Sequence, residues 1–368
     1  MRPFTYINAG TVKQALAALV KYNGQARLNA GGTDLFGMLK DEFLPTYPEA
    51  IINIKTIGGL DYIREEKELL RIGALTRLVD LARSPLLRQR YSALAEAAHA
   101  VASPQIRNVA TLGGNLCQDV RCGYYRYPRH IGGPLQCARK GTAPCLAVKG
   151  DNRNHAILEG SRCFAVCPSD TAVVLALYDA RMLVVSPGGE RQIVVRDFYT
   201  ALGNGLNSDE MVKEIRIPKL PEQMQQAFLK FTLRKPIDFA IVSAAALVSL
   251  SNGICTDVRI ALGAVAPGIV RAEAAEEFLR RQPLTPETDA QAAEMALTGA
   301  RPLSRNAYKV NIAKALVTRV LLGHKEWEIP LDDVKAYDPT ELSTFHRCSS
   351  PTPSGHATVV TSGKGEIG

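Results

Sequence analysis

Residues 26–35 form the stretch ARLNAGGTDL, in which a short apolar strand runs into paired glycines and then into a helical segment. Glycines in such a turn adopt positive φ and carry no side chain, so backbone N–H groups can approach a pyrophosphate at the start of a helix. The spacing differs from the dinucleotide fingerprint GxGxxG and from the phosphate loop GxxxxGK(S/T). Taken alone, paired glycines after a strand are more often a plain turn.

The segments around this turn alternate between short strands and helices. FTYINA and AIINIK have the composition of strands, and Thr11 can cap the amphipathic helix VKQALAALVKY that lies between them. This β-α-β pattern predicts a small mixed sheet over residues 1–57.

Two further units follow along the chain. Residues 58–220 begin with two predicted helices, TRLVDLARSPLLR and YSALAEAAHAV, and residues 225–325 place strands before helices. Together the three units predict an α+β protein. The last stretch, 336–368, is rich in Ser, Gly, Thr and Pro and is predicted to be a disordered tail.

A second glycine pair occurs in the sequence Thr111-Leu112-Gly113-Gly114-Asn115. The side chains of Thr111 and Asn115 can donate hydrogen bonds to phosphate oxygens, which predicts a second cradle of the same design as the first. Two such cradles suit the two phosphates of one dinucleotide. Because two such turns occur in one chain, a plain turn is a less favoured interpretation here than it is for the first turn taken alone.

Six of the eight cysteines fall between Cys117 and Cys167, whereas Cys255 and Cys348 are isolated. The stretch that holds the six is polar, aromatic and without periodicity, and so long an irregular segment needs something to order it. In a large chain from a reducing compartment, clustered thiols favour metal over disulfides. Their spacing matches neither the CxxCxxC of ferredoxins nor the paired CxxC of zinc ribbons, so spacing leaves the metal open.

Bulk composition excludes several classes of function. The formal net charge is +8 and the pI is near 9.0, but the basic residues are scattered, which favours an anionic cofactor and a more acidic partner subunit over nucleic acid. No apolar run is long enough to span a membrane, and the first residues lack the apolar core of a signal peptide. We therefore expect a cytoplasmic protein that binds neither nucleic acid nor membrane.

Four motifs in this order and spacing carry a family resemblance: AGGTDL, SPQIRNVATLGGNLCQ, CPSDTAVVLALYDA and KFTLRKPIDFAIVSAAALV. Together they closely resemble the FAD-binding medium subunit of the molybdenum hydroxylases, the xanthine dehydrogenase and carbon monoxide dehydrogenase family. The resemblance covers about residues 1 to 325. It implies a two-part FAD-binding domain of the PCMH type, followed by an α+β C-terminal domain of the carbon monoxide dehydrogenase flavoprotein type.

The resemblance also implies which residues bind FAD. An N-cap for Asp170 and a solvated strand position for Lys230 are the structural alternatives for those two residues. In the first turn the implied residues are Ala30, Gly31, Gly32, Thr33, Asp34 and Leu35, and in the second turn they are Thr111, Gly113, Gly114 and Asn115. The others are Asp170, an acid near the flavin, Val212, a strand residue near the adenine, and Lys230, a lysine near the far end of the cofactor.

The cysteine-rich stretch, about residues 117–167, is an insert that most flavin subunits of the family lack. It resembles the insert that holds a 4Fe-4S cluster in the 4-hydroxybenzoyl-CoA reductase β subunit and in some bacterial aldehyde oxidoreductases. The ligands that this resemblance implies are Cys122, Cys137, Cys145 and Cys163, with Cys117 and Cys167 as alternates. For His130 and His155, hydrogen bonds to loop carbonyls are favoured over metal ligation.

By resemblance, the working enzyme is a heterotrimer with a large molybdopterin subunit and a small subunit that holds two 2Fe-2S clusters. This chain would pass electrons between them and an external carrier, ferredoxin or NAD, and we assign it no acid-base catalytic residue. The branch it most resembles is 4-hydroxybenzoyl-CoA reductase; the FAD subunit of an aldehyde or xanthine-type dehydrogenase is an alternative. A stand-alone flavin oxidoreductase and a zinc-stabilised binding module are alternatives of other classes.

Overall fold

The computed structural model of the chain describes residues 1–221, 223–235 and 237–324. The predicted tail at 336–368 and Cys348 lie outside these residues. The helices within them are α1 (Val12–Lys21), α2 (Leu35–Asp41), α3 (Leu78–Arg83), α4 (Pro85–Arg90), α5 (Ser92–His99), α6 (Pro104–Arg107), α7 (Leu112–Cys117), α8 (Asp170–Leu177), α9 (Glu273–Leu279), α10 (Pro286–Ala296) and α11 (Tyr308–Leu321). The strands are β1 (Thr5–Asn8), β2 (Ala26–Asn29), β3 (Ala50–Asn53), β4 (Ile63–Glu66), β5 (Leu69–Gly73), β6 (Arg181–Ser186), β7 (Gly189–Val194), β8 (Tyr199–Thr200), β9 (Gly203–Asn204), β10 (Met211–Pro218), β11 (Gln225–Phe231), β12 (Val242–Ser251), β13 (Ile254–Gly263) and β14 (Val270–Arg271).

The first sheet has the order β1-β3-β2, and all of its strands are parallel. Our prediction of a mixed sheet was therefore wrong. Each strand connects to the next through a helix that returns the chain to the same end of the sheet, and such crossovers produce parallel strands. The register aligns Asn8, Asn53 and Asn29 at the carboxyl edge, from which the first glycine turn leaves.

The second sheet is antiparallel and has the order β4-β5-β10-β6-β7. Helices α5 and α8 pack with it in the largest core of the chain. The predicted helix TRLVDLARSPLLR is two helices, α3 and α4, because Pro85 lacks an N–H and cannot continue a helix from the preceding turn. Ser84 begins the second of them, since its hydroxyl accepts from the N–H of Leu87.

The third sheet, β11-β12-β13-β14, is also antiparallel; α11 packs against β11 and β12, α9 packs against β13, and α10 packs on these two helices. Helix α8 packs against β12 and β13 of this sheet and against α5 of the second unit. Every residue of α8 is consequently buried. Strands and helices segregate as the sequence predicts, and the α+β fold class is confirmed.

Between Cys117 and Cys167, all of which is described, the chain forms neither strand nor α-helix. Its regular parts are three short 3-10 turns at Arg129–Ile131, Ala138–Lys140 and Leu146–Val148. The irregular insert that the sequence predicts is therefore present. None of the helices in the described ranges has both the length and the apolar character that a membrane crossing requires.

Asp289 in α10 is fully buried, and neither carboxylate oxygen has a hydrogen-bond partner among the described residues. Burial raises its pKa to about 6. The folded state therefore binds the proton more tightly than the unfolded state, and its stability falls as the pH rises from about 4 to about 6.

Asp289→Asn should therefore increase the free energy of unfolding by about 2 kcal/mol at pH 7.5, and this gain should disappear near pH 4. Urea unfolding at the two pH values measures both effects. Asp257→Asn, at a carboxylate that is 40% exposed, is the matched control and should change stability by less than about 0.5 kcal/mol. Destabilisation by Asp289→Asn at pH 7.5 would contradict this account.

Candidate functional site

One large cleft, with a volume of about 1000 Å³, lies at the carboxyl edge of the first sheet. Its volume is at the upper end of the range for ligand pockets, roughly 300–1,000 Å³, which suits a molecule as large as a dinucleotide. Every residue that the sequence assigns to FAD lies in its lining: Ala30, Gly31, Gly32, Thr33, Asp34, Leu35, Thr111, Gly113, Gly114, Asn115, Asp170, Val212 and Lys230.

The first glycine turn presents a row of backbone donors to this cleft. In the part of the chain that the structure describes, the N–H groups of residues 31–35 donate to no protein acceptor. A Cβ on Gly31 would lie 2.3 Å from the carbonyl oxygen of Val109 and 2.8 Å from the Cα of Ala110. Only glycine therefore allows the turn to lie against that backbone, and the row of N–H groups fits an anionic group such as a pyrophosphate.

The second glycine turn differs from the first in its backbone, and phosphate binding by the side chains of Thr111 and Asn115 stays a prediction. The N–H of Gly113 donates to the carbonyl of Ala74 at 2.8 Å, and the N–H of Gly114 donates to the Thr111 hydroxyl at 3.2 Å. Asn115 donates its N–H to the Thr111 carbonyl at 2.8 Å. The amides of Gly114 and Asn115 are used because Thr111 begins α7, and the turn forms a wall of the cleft rather than a row of backbone donors.

Asp170 and Lys230 form a buried ion pair in the cleft wall. Lys230 Nζ donates to Asp170 Oδ2 at 2.7 Å and to the carbonyl of Ala100 at 2.9 Å, and the two side chains are 4% and 5% exposed. Both structural alternatives were wrong, since the N-cap of α8 is Ser169 and the lysine is not solvated. Val212 lies on β10 opposite Val184, where its side chain is buried.

Lys230→Met removes the cation that Lys230 provides to a buried carboxylate, and we expect it to reduce the free energy of unfolding by about 3 kcal/mol. Lys213→Met is the matched control, because Lys213 pairs with Glu190 where the two side chains are 37% and 50% exposed. The control should change stability by less than about 1 kcal/mol. Urea unfolding of both variants tests the difference, and equal effects would show that burial of the pair has no energetic consequence.

Asp34 connects the first turn to the cysteine-rich insert. Its Oδ1 accepts from Arg126 at 2.7 Å and forms an ion pair with Arg121 at 2.9 Å, and its Oδ2 accepts from the N–H of Asp119 at 2.9 Å. Arg121 also lies over the ring of Phe239 at 4.4 Å. Burial lowers the pKa of Arg121 to about 10, although Asp34 opposes this shift.

Sequence reasoning missed Arg121, Arg126 and Phe239 as neighbours of the cleft and of the first turn. The available signal was the position of the two arginines on either side of Cys122, close to the second turn. Nothing in the sequence pairs these arginines with Asp34, which lies far away in the chain. The structure brings them together because the start of the insert packs beside the first turn.

Cys122, Cys137, Cys145 and Cys163 lie near one another. Burial raises the pKa of Cys122 to about 11; the N–H groups of Tyr125 and Tyr124 oppose this shift, and the thiols of Cys163 and Cys145 add to it. Burial also raises the pKa of Cys163, with further contributions from Cys145 and Cys137. Cys145 therefore lies close enough to affect both Cys122 and Cys163, and Cys137 lies close enough to affect Cys163.

The alternate cysteines lie elsewhere. Cys117 and Cys167 line the cleft and pack in the main core, whereas Cys137 and Cys163 pack with Phe43 and Tyr125 in a separate cluster. Among the described residues, no three His, Cys, Asp or Glu side chains approach closely enough to hold a single metal ion.

Tyr125 forms a wall shared by the cleft and the four cysteines, which we call the cysteine group. Its ring packs with Cys137 and Cys163 and also lines the cleft. Its hydroxyl donates to Asp119 at 2.7 Å, and the cations of Arg139 and Lys140 lie 5.4 and 5.5 Å from its ring centroid. Arg139, which is itself paired with Asp119, acts on Cys163, and Lys140 acts on Cys137 and Cys122; both cations favour negative charge on sulfur.

His155 also belongs to this region. Its Nε2 lies 3.3 Å from the Sγ of Cys122, and its buried Nδ1 has no hydrogen-bond partner among the described residues. Burial lowers its pKa, and the charge of Lys309 lowers it further. The ring of His155 therefore contacts the Cys122 thiol instead of the predicted loop carbonyls. The other histidine of the insert, His130, is exposed.

Comparison with known proteins agrees with this geometry. Residues 2–220 match the family model for the FAD binding domain in molybdopterin dehydrogenase, and residues 227–323 match the CO dehydrogenase flavoprotein C-terminal domain. The chain is 34% identical to the aldehyde oxidoreductase FAD-binding subunit PaoB of Escherichia coli, over 87% of this chain and 98% of that protein.

Two further relatives come from Hydrogenophaga pseudoflava. The medium chain of its carbon monoxide dehydrogenase is 30% identical over 86% of this chain and 96% of that protein. A solved structure of the carbon monoxide dehydrogenase that lacks the Mo-pyranopterin moiety superimposes with a TM-score of 0.70 and 29% identity, over 88% of this chain and 98% of that chain. This chain therefore belongs to the FAD-binding medium subunits of the molybdenum hydroxylase family, of the carbon monoxide dehydrogenase and xanthine dehydrogenase type.

Proposed function

We propose that this chain binds both FAD and a 4Fe-4S cluster and serves as the electron-transfer subunit of a heterotrimeric molybdenum hydroxylase. Its partners would be a large molybdopterin subunit and a small subunit with 2Fe-2S clusters. The observation that carries the proposal is the position of the cysteine group, which shares the Tyr125 wall with the FAD cleft. The two redox groups would then lie on either side of one side chain.

The residues of the cleft fit FAD. The N–H groups of residues 31–35 would hold its pyrophosphate, since within the described ranges they donate to no other group. The buried pair of Asp170 and Lys230 and the wall formed by residues 111–115 would position the rest of the molecule. Bound FAD would supply conversion between two-electron and one-electron transfer.

The cysteine group fits a cubane cluster. In such a cluster each thiolate binds a different iron, so the four sulfur atoms lie further apart than the ligands of one ion. The N–H of Ala165 donates to the Sγ of Cys163 at 3.5 Å. Hydrogen bonds to sulfur and nearby cations are the means by which proteins stabilise these clusters and set their potentials.

For the reaction of the whole enzyme, we favour oxidation of an aldehyde, because the aldehyde oxidoreductase subunit has the higher identity of the two curated relatives described above. Electrons would then run from the molybdopterin subunit through this chain to an external carrier such as ferredoxin or NAD. The 4-hydroxybenzoyl-CoA reductase branch is the alternative, in which electrons would run from the carrier to the molybdopterin subunit. Potentials of the flavin, the cluster and the carrier distinguish the two directions.

An affinity-tagged copy of the chain, isolated without oxygen from its native host, tests the heterotrimer. We expect it to bring down two further chains in equal amount, together with molybdenum and additional iron. A chain that is isolated alone, and that reduces an acceptor by itself, would instead support the stand-alone flavin oxidoreductase.

A further inference from the structure

The imidazole of His155 lies against one member of the cysteine group and forms no hydrogen bond with another member among the described residues. Its Nε2 is 3.3 Å from the Sγ of Cys122. The ring of Tyr124 lies 6.2 Å away, centroid to centroid, and the Tyr124 hydroxyl donates to no acceptor on the imidazole. The imidazole is therefore positioned to interact specifically with the Cys122 sulfur.

The segment that carries His155 is fixed from the C-terminal domain. The His155 carbonyl accepts from Lys309 Nζ and from Asn306 Nδ2, each at 3.0 Å. The Oδ1 of Asn152 accepts from the N–H of Arg305 at 2.9 Å, and the Asn152 carbonyl accepts from the N–H of His155 at 3.0 Å. The backbone at His155 is therefore held at both sides, which fixes the position from which the imidazole extends toward Cys122.

The direction of the hydrogen bond follows from the chemistry of the sulfur. A thiolate bound to iron carries no proton, so it can only accept. Nε2 must then carry the proton, and the other ring nitrogen, Nδ1, has no partner within the described ranges that would require the other tautomer. Cys122 would thus accept from the Nε2–H of His155.

We propose that His155 raises the reduction potential of the iron-sulfur cluster by donating its Nε2–H to the Cys122 sulfur. Reduction places more negative charge on the sulfur atoms, so the hydrogen bond stabilises the reduced cluster more than the oxidised one. His155 is a positioning residue, since it acts through Cys122 and binds no iron. The inference rests on the proposed function, because it requires the cluster.

The test is an EPR-monitored redox titration of the cluster in the full chain. His155→Phe should lower the potential so that the equilibrium constant for reduction falls about tenfold, which is about 59 mV for a one-electron couple. His155→Gln keeps an N–H donor of similar reach and should recover most of that loss. His130→Gln is the matched control, because His130 is an exposed histidine of the same insert, and it should leave the potential unchanged.

A second measurement needs no variant. Pulsed EPR of the reduced wild-type protein, grown with 15N-histidine, should show a weak coupling to one histidine nitrogen. An unchanged potential in His155→Phe with full iron content would overturn the proposal, and so would a wild-type spectrum without that coupling. A wild-type protein without any iron-sulfur signal would refute the proposed cluster and this inference together, whereas a normal cluster with no histidine effect refutes the inference alone.

Discussion

Cys137→Ser is expected to reduce the iron content from about four atoms per chain to less than about one, while the flavin content stays near one per chain. The buried Cys137 thiol packs within the cysteine group, whereas the FAD cleft lies on the other side of Tyr125. Loss of one of four thiolates leaves one iron of a cubane without its protein ligand. Iron, sulfide and flavin analysis after anaerobic purification measures the result.

Cys255→Ser is the control for this prediction. Cys255 is also fully buried, but it lies in β13 and packs in the core of the third sheet. It should keep both iron and flavin. Full iron in Cys137→Ser would remove Cys137 from the ligand set, and equal losses in both variants would show a general effect on folding.

Gly31→Ala is expected to weaken FAD binding by at least about 1,000-fold, which corresponds to about 4.1 kcal/mol. The new Cβ would lie 2.3 Å from the Val109 carbonyl, and backbone on both sides would have to move. That movement displaces the row of N–H groups at residues 31–35. Titration of the apoprotein with FAD, followed by quenching of flavin fluorescence, gives the dissociation constant.

Gly37→Ala is the matched substitution at a neighbouring glycine. Gly37 lies inside α2, and a Cβ there would meet nothing within 4 Å. It should bind FAD as the wild type does and gain up to about 1 kcal/mol of stability, since alanine favours helix. Similar FAD affinity in the two alanine variants would show that the first turn does not hold the cofactor.

The sequence predicted the elements of the fold better than their arrangement. Periodicity located α1, α8 and α11 well, because their apolar residues repeat or run continuously. The direction of the strands could not be predicted from their local sequence, because it depends on how the connecting helices cross the sheet. The first sheet was therefore predicted as mixed, whereas it is parallel. The break at Ser84 could have been predicted from Pro85 alone.

The candidate site shows the same limit. Local motifs located the residues that line the cleft, since glycine pairs and the PSD sequence are visible as short patterns. The motifs did not show whether the N–H groups of a turn are available to a ligand or are used in a helix cap. The difference depends on whether a residue such as Thr111 accepts hydrogen bonds from those N–H groups. The partners of Asp34 and Lys230 lie far away in the sequence, and only tertiary packing brings them together.

The central claim is that one chain holds a flavin nucleotide and, beside it, a cluster bound by four thiolates. Purification under strict exclusion of oxygen, followed by absorption spectroscopy and by flavin, iron, sulfide and zinc analysis of one sample, tests it most directly. We expect about one FAD, about four irons and about four sulfides per chain, with little zinc. A preparation that contains zinc and no flavin, or that has no colour at all, would contradict it.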